Sequence, residues 1–177
     1  MTTSDVPLVE TERLLLRGHR LDDFEPLAAL WTDASITRQI GLPPSTRGDS
    51  WGRLLRYVGH WTLLGYGFWA IEEKASGRYA GEIGFADFQR ALTPPVSDAP
   101  EMGWVLAPWA QGRGYASEAA RAAFRWGAAH FGPVTTRCLI DPTNLASIRV
   151  AETCGFRDTG RPAWEGAATM LFAASFG

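Results

Sequence analysis

The chain has 177 residues, enough for one domain with a substantial hydrophobic core. Hydrophobic residues make up 46% and charged residues 20%, and Lys+Arg 17 against Asp+Glu 19 give a net charge of -2. That balance suits a soluble globular protein and supplies no global basic field for nucleic acid or an acidic membrane, so neither is expected as a partner. The stretch MTTSDVPLVETER is acidic, with no basic-then-apolar pattern, and does not read as a signal peptide. The most apolar run, WTLLGYGFWAI (61–71), is far shorter than the ~20 residues of a spanning helix. Cys138 and Cys154 have no CxxC spacing and no histidine pair nearby. They read as buried, reduced thiols, which points to the cytoplasm and to no metal.

In chain order, TERLLLRG (11–18) reads as a first strand, although its leucines also suit the start of a helix. LDDFEPLAALWTD spaces Phe24, Leu27, Ala28, Leu30 and Trp31 as a helix, with Asp22 and Asp23 at the end where the dipole favours acids. IGLPPSTRGDS reads as a loop. A second helix is predicted over 50–64, with Trp51, Leu54, Leu55, Val58 and Trp61 on one side. From Gly65 the period shortens, and YGFWAIEE and RYAGEIGFADF form a hairpin about KASG. ALTPPVSDAP is a proline-rich loop, and EMGWVLAP is a strand stopped by Pro108. A helix follows WAQGRG, then comes the strand VTTRCLI. DPTNLASIRVAETCGF reads as a helix between an Asn144 N-cap and a Gly155 C-cap. One or two strands close the chain, best seen in ATMLFAASF. These elements predict one α/β domain over 1–177, with a mixed, mostly antiparallel central sheet flanked by helices. A crossover helix joins the Glu101 and Val134 strands.

The stretch WAQGRGYASEAARAAFRWGAAHF (109–131) puts two glycines directly before a helix. That helix carries Ala116, Ala119, Ala120, Ala123, Phe124, Gly127 and Phe131 on one face, so it packs closely on the sheet. Its first turn has N–H donors without helical acceptors, and the positive end of the dipole. Gly112 and Gly114 leave those donors uncovered, and a diphosphate suits such a place; a plain strand-to-helix turn would need the same glycines. Nucleotide motifs fit poorly. The third glycine of G-x-G-x-x-G is replaced by Ser117, no acid is well placed for a ribose, and no G-K-[ST] occurs.

QGRGYA fits Q-x-x-G-x-A, with Gln111, Gly114 and Ala116 in place, and resembles the acyl-CoA pyrophosphate loop of the GNAT N-acetyltransferase superfamily. NLASIRVAETCGF resembles N-x-x-S-x-x-[VL]-x-E-x-x-G-F of its ribosomal-protein N-terminal acetyltransferase (Rim-type) branch, through Asn144, Ser147, Val150, Glu152, Gly155 and Phe156. The likeness covers roughly residues 11–156. It implies the GNAT fold, acetyl-CoA as cosubstrate and no metal, and a primary amine as acceptor: a protein N-terminus or a small molecule. The chain is expected as a monomer or homodimer. The rival readings are a catalytically inactive acyl-CoA-binding sensor or interaction module and, on the glycines alone, an NAD-linked oxidoreductase.

The resemblance also assigns roles. The backbone of Gly112, Arg113, Gly114, Tyr115, Ala116 and Ser117 would hold the pyrophosphate. The pantetheine arm would lie beside Trp104, Val105 and Leu106, where an N–H polarises the thioester carbonyl. Many relatives protonate the leaving thiolate with a tyrosine after the fourth strand. The last tyrosine here is Tyr115, which leaves Ser147 to donate a hydrogen bond to sulfur, unless it bonds its own helix start. Asn144 is an N-cap that also touches the arm in relatives, and Arg149 meets a CoA phosphate or faces solvent. The acceptor must lose a proton, from a pKa of ~10.4 for a lysine-type amine or ~7.7–8.0 for an α-amino group. Glu101 is the candidate base, with Glu82 as competitor. Trp31, Trp51 and Trp164 fall in segments that wall the acceptor cleft in relatives.

Overall fold

The computed structural model describes residues 6–94, 99–164 and 167–176. Residues 1–5 of the acidic amino-terminal stretch and 95–98 of the expected proline-rich loop lie outside them. The chain opens with a hairpin of β1 (Val9–Glu10) and β2 (Leu14–Arg17), followed by a 3-10 turn at Leu21–Asp23 and α1 (Phe24–Thr32). Then come α2 (Ala34–Gln39), α3 (Arg47–Leu64), β3 (Phe68–Glu73), β4 (Tyr79–Ala86), β5 (Leu92–Thr93) and β6 (Glu101–Leu106). A second 3-10 turn at Pro108–Ala110 precedes α4 (Tyr115–Phe131), β7 (Thr135–Ile140) and α5 (Leu145–Thr153). The strands β8 (Arg157–Gly160), β9 (Ala163–Trp164), β10 (Ala167–Ala168) and β11 (Met170–Ser175) close the chain. Among the described residues no helix is long and apolar enough to cross a membrane.

Eight strands form the main sheet in the order β1-β2-β3-β4-β6-β7-β11-β8. Every pairing is antiparallel except β6 with β7, the pair joined by α4. The expected sheet and crossover are therefore present. Strand alternation divides the core in two. Ile83, Phe85, Met102 and Leu106 face α4 and α5, whereas Phe68, Ala70, Ala86 and Val105 face α1 and α3. The alanine face of α4 is real: Ala119, Ala120 and Ala123 are fully buried. At Gly127 a Cβ would come within 2.8 Å of both Phe176 and Phe85, so the helix lies where only glycine fits.

Helix α3 departs from the sequence expectation in two ways. It begins at Arg47, three residues early, because Thr46 and Asp49 form a reciprocal capping box. Its buried stripe is Ser50, Leu54, Tyr57 and Trp61, while Trp51, Leu55 and Val58 are exposed. The rotation follows from hydrogen bonding. The Tyr57 hydroxyl and the Trp61 indole both reach acceptors on the sheet, at Glu82 and Phe68 O, which turns those two residues inward. The helix α2, unexpected in the sequence, starts on an Asp33 N-cap whose carboxylate accepts the Ser35 N–H at 2.8 Å.

Candidate active site

A cleft opens where the sheet comes apart. β6 and β7 register only at Glu101 and Arg137, where Arg137 N–H bonds Pro100 O at 3.1 Å. Past that point β6 is held along its other edge, by β4. Ala107 N–H reaches Ala80 O of that neighbour at 2.9 Å. By strand alternation the N–H groups of Val105 and Gly103 also turn to β4, and those of Trp104 and Leu106 turn to the opening.

Two lobes meet there. One, of about 250 Å³, is lined by Trp104, Val105, Leu106, Gln111, Gly112, Gly114 and residues 115–117, with Ile36 and Ile40 at its rim. The other, of about 540 Å³, is lined by Trp31, Tyr57, Phe68, Glu101, Gly103 and Trp164, with Arg53, Arg56 and Arg90. Ile40, Trp104, Val105, Asn144 and Ser147 belong to both.

The turn on the smaller lobe is built as its glycines suggest. Gly112 and Gly114 have φ of +72° and +79°, left-handed values that favour glycine. The first hydrogen bond of α4 runs from Glu118 N–H to Gly114 O at 3.1 Å. The N–H groups of residues 115–117 consequently have no acceptor within the helix. Five hydrogen bonds fix this end of α4. Glu118 accepts from Thr11 Oγ1 at 2.6 Å and from Arg13 N–H and Nε at 2.9 and 2.8 Å. Arg13 Nη1 donates to Arg113 O at 2.9 Å, and the Tyr115 hydroxyl donates to Glu73 at 2.5 Å. Across the opening, Gln111 Nε2 donates to Leu106 O at 3.2 Å, which ties the turn to β6.

Asn144 is buried and caps α5, its Oδ1 accepting the Ser147 N–H at 3.0 Å. The Ser147 side chain lines both lobes, and among the described residues its hydroxyl makes no hydrogen bond to its own helix. Glu101 is 5% exposed and accepts from Arg90 Nε at 3.0 and 3.1 Å. Burial pushes its carboxyl above the ordinary value, against the opposing pull of Arg90 and Arg137. Glu82 is fully buried and lines neither lobe. Its carboxylate accepts from Trp31 Nε1 and Tyr79 OH, each at 2.9 Å, and from the Tyr57 hydroxyl, which stands between it and the cleft.

The structure thus gathers Glu101, Trp104, Val105, Leu106, Gln111, Gly112, Gly114, Tyr115, Ala116, Ser117, Asn144 and Ser147 around one opening. It does not bring Arg113, Arg149 or Trp51 to the lining. Arg113 turns back to Glu73 at 3.3 Å, Arg149 is exposed, and Trp51 packs edge-on against Phe24. Sequence reasoning missed Ile36 and Ile40, which needed helix α2. It also missed the three arginines, whose convergence depends on the rotation of α3 and on the loop after β4.

Residues 13–157 match the family described as acetyltransferase (GNAT) domain. Over 95 residues the chain is 41% identical to the uncharacterized protein YkkB of Bacillus subtilis; the match spans 51% of this chain and 52% of that relative. A putative GnaT-family acetyltransferase from Bordetella pertussis shares the fold with a TM-score of 0.82 at 31% identity, covering 95% of this chain and 99% of that one. Spermidine N-acetyltransferase from Vibrio cholerae, solved in complex with CoA and spermine, shares the fold alone. Its TM-score is 0.71 at 16% identity, over 93% of this chain and 96% of that one.

Proposed function

The chain belongs to the GNAT acetyltransferase family, and from that premise we propose that it moves acetyl from acetyl-CoA to a primary amine by direct attack. The observation that carries this reading is the meeting of the two lobes at Trp104, Val105, Asn144 and Ser147. A thioester approached from the smaller lobe and an amine from the larger would come together at the β6 edge. That is the positioning a bimolecular acyl transfer needs.

The residues fit the cosubstrate. The N–H groups of 115–117, without acceptors in the helix, and the left-handed glycines suit a diphosphate. The free edge of β6 suits an extended, amide-containing arm, and Trp104 N–H is the donor placed for a developing oxyanion. Glu101 accepts the proton as the amine nitrogen bonds to the carbonyl carbon. The C–S bond then breaks, and Ser147 donates a hydrogen bond to the departing sulfur. The match of 144–156 to the Rim-type signature supports placing the chain in that branch, with a protein N-terminus or a small amine as acceptor.

The test is release of free thiol from acetyl-CoA across a panel of primary amines, repeated with Ser147→Ala and Glu101→Gln. Turnover that drops in both variants, while acetyl-CoA still binds, supports the roles given. Tight acetyl-CoA binding with no turnover on any amine would instead make the chain an acyl-CoA-binding module.

A further inference from the structure

Three arginines line the larger lobe. Arg53 and Arg56 stand one turn apart on α3, and Arg90 enters from the loop after β4. Each guanidinium carbon sits over an aromatic ring. The guanidinium carbon of Arg53 lies 3.4 Å from the centre of the Trp31 ring, and that of Arg56 lies 5.5 Å from Phe88. That of Arg90 is 4.5 Å from Phe88 and 4.2 Å from Trp164. Cation–π contact of this kind uses no N–H hydrogen of a guanidinium in a directed hydrogen bond, so those donors remain able to bond a ligand.

The carboxylates at hand are already engaged. Glu101 is held by Arg90, and Asp141 Oδ1 accepts from the Thr143 N–H and hydroxyl at 2.8 and 2.6 Å. Glu82 lies behind Tyr57 with three donors of its own. Among the described residues neither Arg53 nor Arg56 forms an ion pair, and Arg53 Nε is buried without an acceptor. Arg53 also faces the Tyr57 hydroxyl. Burial, with Arg53 and Arg90 close by, holds the Arg56 guanidinium below its ordinary value against the opposing pull of Tyr57 and Glu82, although its chain reaches solvent. Arg53 and Arg56, crowded in this way and without an ion pair of their own among the described residues, would be relieved by an anion.

The geometry points to an acceptor that carries an oxyanion, a carboxylate or a phosphate, on the same small molecule as its primary amine. The oxyanion sits on the donors of Arg53 and Arg56, and the amine reaches Glu101 and the β6 edge. This deepens the transferase reading and rests on it. A polyamine is disfavoured, because the three guanidinium groups outnumber the two carboxylates, Glu101 and Asp141, that line the same lobe. Planar forked donors match carboxylate and phosphate oxygens, which gives the pocket a reason to use arginine in place of lysine.

The test measures kcat/KM by thiol release for amine pairs that differ only in the oxyanion. These are γ-aminobutyrate against butylamine, phenylalanine against phenethylamine, and phosphoethanolamine against ethanolamine, with spermidine as the polycation. At least one anionic member is expected to exceed its neutral partner by about ten-fold, chiefly through KM. The carboxylate and phosphate pairs tell the two anions apart. In Arg56→Glu the ratio inverts and spermidine improves, an outcome that a misfolded chain cannot produce. Arg53→Gln lowers the ratio without inverting it.

The inference is overturned if neutral amines or spermidine are turned over as well as the anionic partners, or if neither variant moves the ratio. Such results leave the transferase reading standing. No turnover of any amine by protein that binds acetyl-CoA removes that reading, and this inference with it.

Discussion

Replacing Glu82 by leucine should destabilise the protein by about 3 kcal/mol or more, because its carboxylate accepts from three groups drawn from three elements. Trp31 Nε1 comes from α1, the Tyr57 hydroxyl from α3 and the Tyr79 hydroxyl from β4 itself. All four residues are buried. Leucine keeps the apolar contacts and leaves three buried donors without their acceptor, each costing about 1–3 kcal/mol. Relief from burying a charge offsets part of that sum, so the lower end of the range is the expected result. Glu82→Gln retains an acceptor oxygen and should lose less. Urea denaturation at constant m-value reads both. A double-mutant cycle sharpens the argument. Tyr57→Phe alone removes a bond to a charged acceptor, about 1.5–3 kcal/mol, but in the Glu82→Leu background it removes an orphaned hydroxyl and should cost little. A coupling energy of at least ~1 kcal/mol follows. Glu82→Leu within ~1 kcal/mol of the wild type, or additive single effects, would refute the role of Glu82 as a tie between helices and sheet.

Two further outcomes are expected. Gly84→Ala should destabilise by about 3 kcal/mol in thermal or chemical denaturation, because a Cβ there would lie 2.2 Å from Gly67 O and 2.4 Å from Phe68 Cα, both backbone atoms that cannot step aside. A change below ~1 kcal/mol would contradict that packing. Burial raises the Glu101 carboxyl above its ordinary value of 4.5, so as a base it is ionised, and active, only above that raised value. The pH profile of kcat/KM should then fall on its acid side at a pH above 4.5, and Glu101→Gln should lose that limb with a rate loss of about 10²-fold or more. The stability effect has the opposite sense: the neutral form is favoured in the folded state, so the contribution of Glu101 is present at acid pH and lost as pH rises through the raised value. An unchanged acid limb in Glu101→Gln would reassign the base.

Local signals were enough to predict what they control. The hairpin of β3 and β4 follows from two alternating runs about KASG, and the α4 turn from glycines that adopt left-handed φ. The Asn144 cap of α5 was equally readable, with left-handed Gly155 one residue past the Cys154 C-cap. Helix α2 was hidden because Ala34–Gln39 is too short to show a period, and it depends on one aspartate cap. The face of α3 was misjudged because Trp51 and Tyr57 carry similar apolar weight in sequence, whereas only Tyr57 has a buried carboxylate to meet. Among the described residues four strands after α5 replace the one or two expected, since β9 and β10 are two residues each, and β9 is held by β5, some seventy residues earlier in the chain. The same distance concealed the larger lobe. Arg53, Arg56 and Arg90 are ordinary surface arginines until α3 and the loop after β4 are laid beside β6.

The opening between β6 and β7 is proposed to hold acetyl-CoA against the α4 turn. Calorimetric titration of the purified protein with acetyl-CoA, with NADH as control, tests it most directly. Saturable binding of acetyl-CoA and none of NADH is expected. Binding should be lost in Gly114→Glu, which places a carboxylate where φ is +79° and next to the N–H groups of residues 115–117 that have no acceptor within the helix. Folded protein that shows no acetyl-CoA binding, or a Gly114→Glu variant that binds it as well as the wild type, would contradict the assignment of this cleft.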